Sequence, residues 1–262
     1  MRIQLGCLNR PWYEFTLEEA LSGIAGAGYR AVGFTGQQGK PVISADMTDE
    51  DVQKLKSLLQ KNKLEPQVSI SQPSVELEPD QAAYRFDREM ARGKEIGLKY
   101  FILCGTANES KYEQWYSVVE RCLDYAREHG LTLLLKPHGG ISALGTDLLR
   151  AADRLTHPSF GICYDPGNIY YYTGQRAEED LPAVAGKVRA MCIKDEVGGK
   201  HGEVAITPGT GLVDFKRIFS ILGDAGFSGP CWVECLGGKA VDEINKESRK
   251  TFDFITGIVA SV

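Results

Sequence analysis

Four short apolar runs each end in residues that are costly to bury. Leu131–Pro137 reads Leu-Thr-Leu-Leu-Leu-Lys-Pro and carries Lys136, with His138 just beyond. Phe160–Pro166 carries Asp165, Val188–Asp195 ends in Cys192-Ile193-Lys194-Asp195, and Pro230–Leu236 carries Glu234. Side chains alternate along an extended chain, so residues two apart share a face. Lys136 and His138 therefore line up with Leu134, Asp165 with Cys163, Lys194 with Cys192, and Glu234 with Trp232. A carboxylate set in an apolar strand is unfavourable unless it is paired or bound to a metal. Asp165 and Glu234 thus call for a shared partner. A divalent cation such as Mg or Mn suits oxygen ligands; Lys136 serves equally well.

Those runs belong to a longer alternation. Strand patterns cover Ile3–Leu8, Ala31–Thr35, Gln67–Ser71, Tyr100–Gly105, Leu131–Pro137, Phe160–Pro166, Val188–Asp195 and Pro230–Leu236. Helical patterns follow at Leu17–Ala27, Asp49–Asn62, Gln81–Ile96, Tyr112–His129, Asp147–Leu155, Asp180–Ala185, Phe215–Ala225 and Val241–Ile258. Eight strands, each with its helix, predict an α/β fold of the (β/α)8 TIM barrel type, spanning 1–262 as one domain. A doubly wound sheet of fewer strands is the alternative. Gly28, Gly97, Gly130 and Gly226 stand where helices close. Thr48 and Thr146 stand where N-caps are expected. A barrel places its active site at the C-terminal strand ends, where Lys136, Asp165, Cys192 and Glu234 lie.

The bulk numbers exclude several classes. The chain has 262 residues, 43% hydrophobic and 25% charged, as a globular protein does. A net charge of −5, with cations scattered among carboxylates, provides no footprint for nucleic acid. No run of about 18 apolar residues is present to span a membrane. The N-terminal segment enters a strand pattern without the apolar run of a signal peptide. The seven cysteines are an odd number without a CxxC pair, so reduced thiols and a cytoplasmic location are expected.

The motifs resemble the xylose isomerase-like TIM barrels, the sugar phosphate isomerase/epimerase superfamily. Its relatives include ketose 3-epimerases, hydroxypyruvate isomerases, inosose dehydratases and endonuclease IV. The resemblance rests on Leu5-Gly6-Cys7, Gly28-Tyr29, Tyr164-Asp165-Pro166-Gly167-Asn168, Ile193-Lys194-Asp195, Pro208-Gly209-x-Gly211-x-Val213-Asp214-Phe215 and Gly229-Pro230-x-Trp232-Val233-Glu234. It implies a divalent metal held by Glu, Asp, His and Glu on strands five to eight, the two glutamates also moving the proton. Asp165 and Glu234 match. Lys136 stands in place of the strand-five Glu, and Cys192 in place of the strand-seven His. Three readings stay open. Lys136 replaces the metal; or Mn, Mg or Zn is kept in a shifted site of His138, Asp165 and Glu234; or the barrel only binds carbohydrate.

The main expectation is an isomerase, with lyase or dehydratase chemistry also open, that abstracts a proton beside a carbonyl of a sugar, sugar phosphate or polyol-derived substrate. Glu234 is the expected base and Lys136 the acid or electrophile. A desolvated Lys136 acting as a neutral base is a further option. His138, Asn168, Lys194, Asp195, Trp12 and Tyr171 are the expected substrate contacts. His201 belongs to a loop that either closes as a lid or stays solvated. Repair of DNA is disfavoured, because a trinuclear zinc site needs more histidine than the four present. By analogy with relatives, a homodimer or homotetramer is expected.

Overall fold

A computed structural model describes residues 2–261. Eight parallel strands close into a barrel: β1 (Arg2–Leu8), β2 (Ala31–Phe34), β3 (Glu65–Ile70), β4 (Tyr100–Leu103), β5 (Thr132–Leu135), β6 (Phe160–Tyr164), β7 (Val188–Ile193) and β8 (Ser228–Val233). Each pairs with its sequence neighbour, and β8 closes on β1 in a register running from Arg2 opposite Ser228 to Cys7 opposite Val233. The helices are α1 (Leu17–Gly26), α2 (Asp49–Asn62), α3 (Pro79–Ile96), α4 (Tyr112–Glu128), α5 (Gly145–Arg154), α6 (Pro166–Thr173), α7 (Ala177–Asp180), α8 (Phe215–Asp224) and α9 (Val241–Val259). Among the described residues no helix is long and apolar enough to cross a membrane.

Two hydrophobic layers hold the barrel. The larger lies between strands and helices. The smaller fills the barrel interior with Leu8, Val68, Ile102, Leu134, Cys163, Ala190, Cys192 and Trp232. Trp232 is the plug of this interior; its indole N–H donates to Gln67 Oε1 at 2.9 Å. A Cβ at Gly6 would stand 2.7 Å from that indole, so β1 must be bare at this point.

Local signals behave mostly as their chemistry dictates. Thr48 caps α2 in a capping box with Asp51. Gly28, Gly97, Gly130 and Gly226 all adopt positive φ. Thr146 does not cap: α5 begins at Gly145, two residues before the expected start, and the backbone N–H of Leu144 donates to Asp147. The segment after β6 departs most. In place of one helix at Asp180–Ala185 the chain forms α6, then the single turn α7 and a 3-10 turn at Leu181–Ala183. Asp165 caps α6, accepting from the Asn168 N–H at 2.9 Å, and Pro166 fills its first position. A Cβ at Gly167 would lie 2.7 Å from the Lys194 carbonyl. The Asp-Pro-Gly-Asn motif is thus a helix start pressed against the end of β7.

Candidate active site

Alternation along β5–β8 builds the site in two layers. Leu134, Cys163, Cys192 and Trp232 point into the barrel interior. Two residues further on, at the C-terminal strand ends, stand Lys136, Asp165, Lys194 and Glu234. All four are nearly inaccessible to solvent. Lys136 Nζ lies 2.6 Å from Glu234 Oε2 and 3.1 Å from Asp165 Oδ2. Lys194 Nζ lies 3.4 Å from the other Glu234 oxygen, Oε1. Each oxygen of Glu234 therefore faces its own lysine.

This geometry fixes the charges. Burial works to strip the Lys136 proton, but Glu234 and Asp165 outweigh it and hold the ammonium well above the usual lysine range. A protonated Lys136 is suited to donate or to hold negative charge, and less to act as a neutral base. Burial pushes Glu234 up, yet Lys136, Lys194 and Arg10 overcome it and hold the carboxyl well below the ordinary range. Burial raises the Asp165 carboxyl, with Lys136 and Lys194 pulling it back. Of the two carboxylates, only Glu234 faces the open cavity; Asp165 stands behind Lys136.

Above these groups opens a cavity of about 380 Å³, lined by Arg10, Tyr13, Cys104, Lys136, His138, Asn168, Tyr171, Tyr172, Lys194 and Glu234 among others. That volume suits a small-molecule ligand. A larger groove of about 520 Å³ lies outside the barrel mouth, between α1, α2 and a short hairpin (Gly36–Gln37 with Lys40–Pro41). None of Lys136, Asp165, Lys194 and Glu234 reaches it. Asn168 is held by Nδ2 donating to the Pro137 carbonyl at 2.6 Å, which leaves its buried Oδ1 without a partner. Tyr171 and Tyr172 meet edge to face at 4.9 Å, and the His201 ring packs on Tyr171 at 5.4 Å. Tyr170 turns away to Glu178.

His138 opens onto the cavity, and its ring meets the Tyr172 hydroxyl at 3.0 Å. Desolvation by its neighbours, then the Lys136 charge, push its pKa from the ordinary 6.5 down to about 4. It is neutral at pH 7. As pH falls, the unfolded chain takes up this proton before the folded one does, so folding stability drops between pH 6.5 and 4. His138→Gln is expected to flatten that part of the stability curve, measured by denaturant titration. An unchanged slope contradicts it.

Two expected substrate contacts are corrected. Trp12 is not a substrate contact: it is fully buried, and its indole N–H donates to Asn245 on α9 at 3.0 Å. Its neighbour Tyr13 lines the cavity instead. Asp195 faces away from the cavity and ties down the loop after β7. Its carboxylate accepts the backbone N–H groups of Glu196, Gly209, Gly211 and Val213 at 2.8 to 3.1 Å. Asp195→Asn replaces an acceptor with a donor there and should cost about 3 kcal/mol of stability, with faster proteolysis at residues 205–214. Unchanged stability with weakened ligand binding would return Asp195 to the substrate. Cys192 lies one layer below Lys136. Contact with Cys163, sulfur to sulfur 3.7 Å, and burial keep it a neutral thiol.

Tyr172 reaches the cavity beside Tyr171, as the run of tyrosines suggested, whereas Arg10, Tyr13 and Cys104 reach it without having been singled out in the sequence. Arg10 is two residues past the end of β1, at the start of a 3-10 turn. The chain leaves the extended conformation at Asn9, so alternation along β1 does not reach it.

The metal implied by the resemblance can be tested against these donors. Among the described residues, Asp165, Cys192 and Glu234 bring one oxygen, one sulfur and one oxygen within 4.8 Å of one another. His138 is not in that set. The ammonium of Lys136 already bridges the two carboxylates. A dication about 4 Å from it would meet a repulsion of several kcal/mol even at an effective dielectric near 20. Cys192 supplies a thiol rather than a thiolate, the poorer ligand. These residues do not fit the family's divalent ion while Lys136 keeps its proton.

A closed parallel barrel with charged strand ends around one cavity defines the class: a (β/α)8 barrel with its site at the C-terminal mouth. The family description "Xylose isomerase-like TIM barrel" matches residues 22–257, and the chain belongs to that family. It is 30% identical over 149 residues to an inosose dehydratase of Erwinia tasmaniensis, covering 47% of this chain and 48% of that one. It is 25% identical over 155 residues to an inosose dehydratase of Serratia proteamaculans, 50% and 51% of the two chains. The chain thus spans about half the length of the curated relatives it matches. Among solved structures, a xylose isomerase domain protein from Planctomyces limnophilus superimposes with TM-score 0.77 at 19% identity over 100% of both chains. D-psicose 3-epimerase from Clostridium cellulolyticum superimposes with TM-score 0.76 at 12% identity, over 98% of this chain and 99% of that one. These two likenesses show the shared fold.

Proposed function

We propose that the chain is a metal-independent enzyme that enolises a keto sugar or cyclic keto-polyol, removing a proton from the carbon next to the carbonyl. Isomerisation, epimerisation and loss of water from the neighbouring carbon all begin with that step. The observation that carries this reading is the Lys136 ammonium seated between Glu234 and Asp165 beneath a cavity of sugar size.

The substrate's carbonyl oxygen accepts from Lys136 or Lys194. The same donors hold the negative charge when it develops as an enolate. Glu234 takes the proton. Its proton affinity is low at rest because two lysines share its oxygens. A substrate oxygen that draws those N–H donors away, and displaces water, raises that affinity when the base is needed. Asp165 keeps a carboxylate behind Lys136 throughout, so the ammonium is never left unpaired. Asn168 Oδ1 accepts from a substrate hydroxyl, and Tyr171 and Tyr172 pack on the sugar's apolar faces. The inosose dehydratase relatives support a keto-polyol, and the D-psicose 3-epimerase that shares the fold is compatible with a ketose.

The test is proton exchange in heavy water with chelator present, over D-fructose, D-tagatose, D-psicose and inosose. Deuterium entering beside the carbonyl is the expected result. The charge cluster is also self-satisfied without a ligand, which favours a second reading: a barrel that binds carbohydrate without turning it over. Binding without exchange across the set would establish that reading and overturn the first.

A further inference from the structure

We propose that the cavity takes its keto sugar as an anion, carrying a carboxylate or a phosphate, with Arg10 gripping the anionic group. This rests on the keto-sugar reading above and narrows it.

The charge balance around the cavity points this way. Three cations, Arg10, Lys136 and Lys194, face two carboxylates, Asp165 and Glu234. His138 adds no charge at neutral pH. A chain with net charge −5 therefore gathers a positive excess at this one place. The three cations are also unequally paired. Lys136 is committed to both carboxylates, and Lys194 has one contact at 3.4 Å. Arg10 has no carboxylate within 4 Å among the described residues. Its polar contact is the Cys235 thiol, which burial keeps uncharged. The remaining donors of its guanidinium fork are free at the mouth. A planar fork of N–H groups matches two oxygens of a carboxylate or phosphate.

Asn168 supplies the independent observation. Its side chain is 1% exposed, lines the cavity, and holds Oδ1 without a partner. The Nδ2 bond to Pro137 fixes which way the amide points. A buried lone acceptor calls for a donor from a ligand, and a sugar hydroxyl is one. The cavity thus asks for a molecule with a hydroxyl at one point and an oxyanion at another.

Three probes share one carbon skeleton and differ only at its end: D-fructose, D-fructuronate and D-fructose 6-phosphate. Their affinities for the full chain would be measured by calorimetry at low salt. At least one anion should bind about ten- to a hundred-fold more tightly than fructose, the range of a charge-assisted hydrogen-bond pair. Which one does so distinguishes carboxylate from phosphate. That ratio should collapse towards unity in Arg10→Met, survive in part in Arg10→Lys, and shrink with added salt. Unfolding midpoints of both variants would show that they fold. Fructose binding as tightly as both anions, or a ratio unchanged in Arg10→Met, overturns the anion inference and leaves the keto-sugar reading standing. No affinity for any of the three, nor for inosose, overturns both.

Discussion

Lys136→Met is expected to remove about 3–5 kcal/mol of folding stability, the usual result of deleting one partner from a buried ion cluster. Methionine fills the volume, so little of the loss would come from a cavity. The cost arises because Asp165 and Glu234, both sealed from water, lose the cation that sits 3.1 and 2.6 Å away. Lys194, at 3.4 Å from Glu234 only, cannot serve both. The two carboxylates would then share a proton, as close acid pairs do. Denaturant unfolding measures the loss. Adding Asp165→Asn and Glu234→Gln to Lys136→Met should recover part of it, since neutral groups no longer demand a counter-ion. A loss below about 1 kcal/mol would mean that the ion cluster does not form as described.

Glu234→Gln should lower kcat by about a thousand-fold or more, the scale set by a positioned general base, while leaving the fold intact. Lys136 keeps Asp165 as its counter-ion in this variant. Glutamine has the same shape but no basic oxygen able to accept the substrate's proton. The readout is deuterium exchange beside the carbonyl together with ligand affinity. Exchange should vanish while binding changes far less. Preserved turnover would remove Glu234 from the mechanism and leave Asp165 as the remaining carboxylate to consider. Affinity and turnover falling together would instead mark Glu234 as a binding group.

The barrel was legible in the sequence because each strand is a short apolar run and each helix an amphipathic one; eight such repeats favour a closed barrel over a doubly wound sheet of fewer strands. Alternation along β5–β8 also placed Lys136, Asp165 and Glu234 on the inner face, where they converge. What escaped lies in the loops, where no periodicity operates. Asp165-Pro166-Gly167 reads as a turn because Pro and Gly usually break helices. Here Pro occupies a first helical position, and the Gly admits the close approach to Lys194. Trp12 and Tyr13 are adjacent aromatics after β1, and only packing against α9 decides which is buried. Asp195 looks like a site residue by position, yet its carboxylate is taken by four backbone N–H groups from a loop up to eighteen residues away. Such long-range backbone bonds leave no mark in local sequence. Arg10 escaped because it stands in the 3-10 turn after β1 rather than on the strand.

The central claim is that the Lys136 ammonium fills the role of the family's metal. The most direct measurement is metal content by elemental analysis after saturation with Mn, Mg or Zn and gel filtration, made beside the unfolding midpoint with and without chelator. The protein should retain no stoichiometric metal, and its midpoint should not move. Stoichiometric metal, with a midpoint that rises on loading and loses that rise in Asp165→Asn, would contradict the claim and return the site to the divalent-ion chemistry of the family.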